Sequence, residues 1–117
     1  MGHLSTHVLD TSAGRPAAAV RIELSRLTNG TWTSLKSMLT NRDGRTDKPL
    51  LEGAEFTAGK YRIEFHIGDY FRKAGAVLPD PPFFDIVPIQ IGIADASLHY
   101  HVPLLCTAWS YSTYRGS

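Results

Sequence analysis

Cysteine is nearly absent: Cys106 stands alone among 117 residues. A single thiol cannot close an intrachain disulfide or supply the ligands of a multi-cysteine zinc module. No run of about 18 apolar residues occurs, so no membrane-spanning helix and no membrane partner are expected. Neither sign of charge is in excess. Lys+Arg number 12 against 11 Asp+Glu, a formal net charge of +1 with histidine neutral. That balance leaves no basic field to hold a nucleic-acid backbone. Internal repeats, low-complexity tracts and linkers are also missing, and one domain over residues 1–117 is expected. The segment Met1-Gly2-His3-Leu4-Ser5-Thr6 has no charged region followed by an apolar one. No secretory signal is read there, and the cytoplasm is the default compartment. The same residues fit the loose myristoylation pattern, but Leu4 to Leu9 already read as a strand.

What the chain does contain is an ordinary globular composition, 43% hydrophobic and 20% charged. A domain of this length buries roughly 65% of its unfolded-chain surface, enough for one modest core. The dominant period is two. Val20, Ile22 and Leu24 alternate with Arg21, Glu23 and Ser25. Tyr61, Ile63, Phe65 and Ile67 alternate with Arg62, Glu64 and His66, and Val87, Ile89, Ile91 and Ile93 with Pro88, Gln90 and Gly92. Strict alternation predicts strands with one buried face. Asn29-Gly30 is a hairpin signal, because both residues tolerate positive φ, and Asp43-Gly44 is a second turn signal. One short helix is expected over Tyr70–Ala74, with Asp69 as N-cap and Gly75 as its stop. Pro79-Asp80-Pro81-Pro82 reads as a surface loop. Seven or so short strands separated by turns predict an all-β, two-sheet β-sandwich with one short helix.

Five histidines are many for this length. His99 and His101 lie two apart, so on a strand they share a face with Pro103 and Leu105. Tyr100, Val102 and Leu104 form the opposite, core-like face, and Cys106 falls with them. A buried cysteine acting as a small hydrophobe therefore competes with the nucleophile reading. The histidine face is polar, yet Pro103, Leu105, Ala108 and Trp109 make the stretch too apolar for a purely solvated surface. Such a face is a candidate subunit interface with a pocket in it. His-x-His with a distant third histidine is also a weak zinc pattern, with no carboxylate or thiol placed to complete it. Arg45, after the Asp43-Gly44 turn, is either an exposed charge or a planar donor fork for an oxyanion. Ser110–Tyr114 reads as a strand that ties down the chain end.

Several stretches carry a more specific likeness. Leu4-Ser5-Thr6-His7-Val8-Leu9-Asp10, Gly14-Arg15-Pro16-Ala17, Asp43-Gly44-Arg45, Gly68-Asp69-Tyr70-Phe71, Phe83–Ile89, His99–Leu105 and the closing Tyr114-Arg115-Gly116-Ser117 resemble the 5-hydroxyisourate hydrolase branch of the transthyretin family. The family often has Ser-Pro after the Leu-Leu pair, where this chain has Thr107-Ala108-Trp109. The resemblance implies a sandwich of two four-stranded sheets, assembled as a dimer of dimers. The sites of that homotetramer lie in a channel on the outer sheet face. It implies hydrolysis of a small molecule, 5-hydroxyisourate, by opening a cyclic amide to give 2-oxo-4-hydroxy-4-carboxy-5-ureidoimidazoline. It places the substrate at His7, Arg45, His101, Tyr114 and Ser117, with no metal and no cofactor.

Side-chain chemistry suits those roles. A neutral imidazole is a general base near working pH, and either His7 or His101 fills that place. Arg45 would hold a developing oxyanion, and Tyr114 would stack on a flat substrate. The alternative is a non-catalytic carrier of a small aromatic ligand. The features that favour the enzyme are His7, Arg45, His101 and the terminal Tyr-Arg-Gly-Ser.

Overall fold

A computed structural model describes Met1–Ser117. The alternation of the sequence builds both sheets. In β1 (His3–Asp10), Leu4, Thr6, Val8 and Asp10 are buried, and His3, Ser5, His7 and Leu9 form the half-buried opposite face. The other strands are β2 (Arg15–Pro16), β3 (Arg21–Thr28), β4 (Thr31–Leu39), β5 (Leu51–Glu52), β6 (Gly59–His66), β7 (Ile86–Ile93), β8 (Tyr100–Cys106) and β9 (Tyr111–Thr113). Asn29 and Gly30, with φ of 51° and 79°, turn β3 into β4.

The strand order is β4-β3-β6-β7 in one sheet and β2-β1-β8-β9 in the other, where β5 also pairs with β1. The expected pair of four-stranded sheets thus gains a fifth member. β5 pairs with His3 and Leu4, and β2 with Leu9 and Asp10. They share one edge of β1, at opposite ends of that strand. Between them the main chain of Gly44 occupies the same edge, where Val8 N–H donates to Gly44 O at 2.8 Å.

The core lies between the sheets. Leu4, Val8, Ile22, Leu24, Tyr61, Ile63, Phe65, Leu104 and Cys106 are buried in it. Ile89 and Ile91 pack against it from β7 but are only half-buried, because β7 is an edge strand. Cys106 sits on the core face, and burial together with the charge of Asp10 pushes its thiol up to about 12. A thiol so rarely ionised is packing material, not a nucleophile.

The helix departs from its expected start. α1 spans Ile67–Lys73, the N-cap position belongs to His66, and Asp69 lies within the first turn. The reason is packing. Ile67 continues the buried alternation of β6, and Phe71 follows on the same helical face, so the strand runs directly into the helix. Asp69 instead approaches Arg72 at 3.6 Å. The stop is as expected. Gly75 has φ 95°, and Ala76 N–H closes the end by donating to Phe71 O at 3.0 Å. α1 is seven residues, and no helix is long and apolar enough to cross a membrane.

One polar contact fastens the helix to the sheet. Tyr70 Oη donates to Asp10 Oδ2 at 2.8 Å, while Asp10 Oδ1 accepts from the main chain of Ser12 and Ala13 at 3.0 and 3.1 Å. Burial works to raise the Asp10 carboxyl, but the hydrogen bonds from Ser12, Tyr70 and Ala13 outweigh it and hold it below the ordinary value. Burial and the Asp10 charge push Tyr70 up to about 12. Tyr70→Phe leaves a buried carboxylate short of one donor and should cost about 1–2 kcal/mol. Urea unfolding should show this as a lower midpoint at unchanged slope.

Candidate active site

The outward face of β1 and the start of β8 make the site. The two strands run parallel in a register that sets Ser5 beside His101 and His7 beside Pro103. A cavity of about 300 Å³ opens there, lined by His3, Ser5, Arg45, His99, His101 and Ser117. No apolar residue lines it. His99 stands just before β8, exposed, with its ring centroid 4.1 Å from that of His3.

Arg45 arrives from the turn that docks on the β1 edge. Asn41 organises that turn. Its Oδ1 accepts from the N–H groups of Asp43 and Arg45 at 2.9 and 3.2 Å, and its carbonyl accepts from Gly44 N–H at 2.9 Å. Gly44 has φ 74°, and a Cβ there would lie 2.3 Å from Val8 O. Only glycine allows the turn to sit this close to β1. The same turn reaches His7. Its Nε2 lies 2.7 Å from Asp43 O. A carbonyl can only accept, so Nε2 of His7 carries a proton, and in the neutral ring the lone pair is on Nδ1.

The chain end closes the cavity. Gly116 N–H donates to His101 O at 2.7 Å, and an added Cβ on Gly116 would lie 2.6 Å from His101 Cδ2. The glycine of the terminal tetrapeptide therefore lets the backbone lie against the imidazole and carries Ser117 to the cavity.

The structure brings Arg45, His101 and Ser117 together around the cavity, with His7 next along β1. It does not bring Tyr114 there. That side chain is 61% exposed and lines a separate cavity of about 420 Å³ with Ile89, Ile91, Tyr100, Val102 and Arg115. Pro103, expected on an open outer face, is buried within the chain beneath β1 and β9. Two lining residues, His3 and Ser5, are not candidates on sequence grounds, and their one signal is a shared parity with His7 along β1. His99 also lines the cavity, as the first member of the His-x-His pair. No three His, Cys, Asp or Glu side chains gather as metal ligands would.

Residues 4–116 match the model of the HIUase/Transthyretin family. The chain belongs to that family. The 5-hydroxyisourate hydrolase 2 of Rhizobium meliloti (strain 1021) is 56% identical over 116 residues, 99% of this chain and 97% of the relative. Among solved structures, the 5-hydroxyisourate hydrolase of Klebsiella pneumoniae superposes with a TM-score of 0.81 at 36% identity, covering 100% of this chain and 94% of its own. An (S)-allantoin synthase superposes with a TM-score of 0.93 at 45% identity, where 99% of this chain matches 44% of the longer one.

In this family member the electrostatics single out one imidazole. Burial lowers the pKa of His101 below the ordinary histidine value of 6.5, and the charges of Arg45, His7 and His3 lower it further. The folded state thus disfavours the imidazolium that the unfolded chain forms below pH 6.5. Stability from this residue is complete above that pH and is lost as pH falls through the lower, folded value. An NMR titration of the ring protons should place His101 below 6.5, and Arg45→Ala should move its midpoint upward.

Proposed function

We propose that the chain, as a single hydrolase domain over residues 1–117, opens the cyclic amide of 5-hydroxyisourate with water. The product is 2-oxo-4-hydroxy-4-carboxy-5-ureidoimidazoline. The observation that carries this reading is the grouping of two differently bonded imidazoles with one guanidinium on a single polar face.

Water is a weak nucleophile at neutral pH, and a base is needed as it attacks. His101 is held neutral by burial and its positive neighbours, which keeps it competent at working pH. It takes the proton from water while the new C–O bond forms. Arg45 faces the carbonyl oxygen as negative charge develops there, and its charge does not titrate away. The imidazolium then returns its proton to the amide nitrogen as the C–N bond breaks. His7 offers the free Nδ1 lone pair to orient the water, its Nε2–H being committed to Asp43 O. Ser117 binds substrate at the cavity rim.

Assembly as a homotetramer, a dimer of dimers, belongs to the same proposal. Phe83 and Trp109 are 67% and 58% exposed with ring centroids 5.9 Å apart, and the edges of β7 and β9 are unpaired. Exposed aromatic surface next to open sheet edges favours a second copy. Tyr114, on the β7–β9 side, takes part in binding only if that assembly carries it to a neighbour's cavity.

Freshly generated 5-hydroxyisourate, followed at its ultraviolet band, should decay faster with the protein than in buffer. No acceleration would favour the carrier. His7→Asn and His101→Asn should each lower turnover by about 10²-fold or more, and His99→Asn by much less. Arg45→Lys should fail to restore activity, because an ammonium offers no planar fork. Since His101 must be neutral, the acid limb of the rate profile should lie below pH 6.5. Sedimentation should find four chains, and full activity in a monomer would remove the intersubunit site.

A further inference from the structure

We propose that Ser5 is a positioning residue for His101, fixing the tautomer in which Nδ1 carries the proton and Nε2 is free to act as base. The inference rests on the hydrolase reading above for its kinetic consequence, and on the geometry and charge around the ring for the tautomer.

Ser5 and His101 are direct partners in the parallel ladder, so their side chains leave the sheet on the same face. Ser5 Oγ lies 2.8 Å from His101 Nδ1. Its neighbour in sequence is used differently. Thr6 points inward, is 2% exposed, and spends its hydroxyl on Val102 O at 2.7 Å. Ser5 has no main-chain acceptor to satisfy and lines the cavity instead. The imidazole is held at two places, by Ser5 at Nδ1 and by the Gly116 backbone against Cδ2, which confines rotation of the ring.

A hydroxyl can accept or donate, so distance alone does not choose the tautomer. The surroundings do. Arg45 shares the cavity and presents only donors. A lone pair on Nε2 is favoured beside that charge, and an N–H there is not. Nδ1–H therefore donates to Ser5 Oγ, and the Ser5 O–H is left to donate into the cavity. When Nε2 takes a proton from water, the Nδ1–H bond to Ser5 strengthens, because a charged donor makes the stronger hydrogen bond. Ser5 thus supports the imidazolium without touching the reacting atoms. The partner of the other ring nitrogen sets the tautomer of a histidine in general, and here that partner is a serine.

The test uses the full chain with nitrogen-15-labelled histidine, as wild type, Ser5→Ala and Ser5→Thr. Long-range proton–nitrogen correlation spectra above pH 7 read the tautomer directly. Wild type should show His101 protonated on Nδ1 and bare on Nε2. Ser5→Ala should shift the population toward Nε2–H, lower kcat by about 10- to 10²-fold with little change in KM, and move the acid limb to lower pH. Ser5→Thr keeps the hydroxyl and should restore both readouts. Wild-type His101 protonated on Nε2 would overturn the proposal, as would Ser5→Ala with tautomer and kcat unchanged. Loss of the hydrolase reading looks different: no turnover by wild type, with the Nδ1–H form of His101 intact.

Discussion

Seven residues of β1, Leu4 to Asp10, pair in parallel with Tyr100 to Cys106 of β8. This ladder joins segments 96 positions apart, as Ser5 and His101 illustrate, and the geometry of the site depends on it. A parallel pair cannot be made by a tight turn. It needs a long crossover, and here the crossover is the rest of the protein. Six strands and α1 lie between β1 and β8 in sequence. Once β8 docks, three functional elements converge without further design. The outward parity of β1 places Ser5 and His7 beside His101. The free edge of β1 accepts the turn that carries Arg45. The far edge of β8 accepts β9 and the chain end. A register slip of one residue would turn His101 into the core and Val102 into the cavity, so the buried face of β8 specifies the site on its other face.

That coupling explains which parts of the protein are legible in the sequence. Alternation is a local signal, and it reveals the strands, the Asn29-Gly30 hairpin and the inward place of Cys106. Parity sets His99 and His101 on the face that carries the cavity, but Pro103, which shares that parity, is buried, and no apolar residue lines the cavity. The helix start is harder to read because capping residues compete with packing. Asp69 is a good N-cap by type, but Ile67 is fully buried and draws the helix back to it. Ser5 escapes a reading of the sequence because its role lies in a register, and a register between distant strands leaves no trace in either strand alone. Tyr114 shows the converse. The resemblance assigns it to the substrate, while within one chain it lines a separate cavity between β7 and the β8–β9 edge. Subunit geometry leaves no local pattern along the chain from which that difference could be read.

The two imidazoles of the proposed mechanism, His7 and His101, illustrate how identical side chains are set apart by their neighbours. His7 meets a carbonyl, which fixes its proton on Nε2 with no alternative. His101 meets a hydroxyl, which can accept or donate, and the surrounding charge decides. The energetic environments differ as well. His101 is held neutral chiefly by burial, with Arg45 adding to the effect. The guanidinium proposed to hold an oxyanion therefore also favours the neutral form of the proposed base. Bringing Arg45 closer would stabilise negative charge better but make His101 a weaker base. The Asn41-centred turn fixes that compromise through its own hydrogen bonds, and through Asp43 O the same turn meets His7.

The end of the chain shows how little material such a compromise requires. Terminal residues ordinarily fray, yet here β9 pairs with Leu104–Cys106, Thr113 Oγ1 donates to Pro103 O at 2.7 Å, and Arg115 lies 4.3 Å over the Tyr100 ring. These contacts hold the backbone two residues short of the terminus. Gly116 can then approach the imidazole more closely than any residue with a side chain. The Tyr-Arg-Gly-Ser ending divides its work accordingly. The arginine anchors, the glycine packs, and the serine is delivered to the cavity. A bulkier residue at the third position would push His101 toward Ser5 or lift Ser117 away, and either displacement acts on the same hydrogen-bonded ring. The glycine of this short motif is thus required by one close backbone approach, imposed by the strand that lies before it.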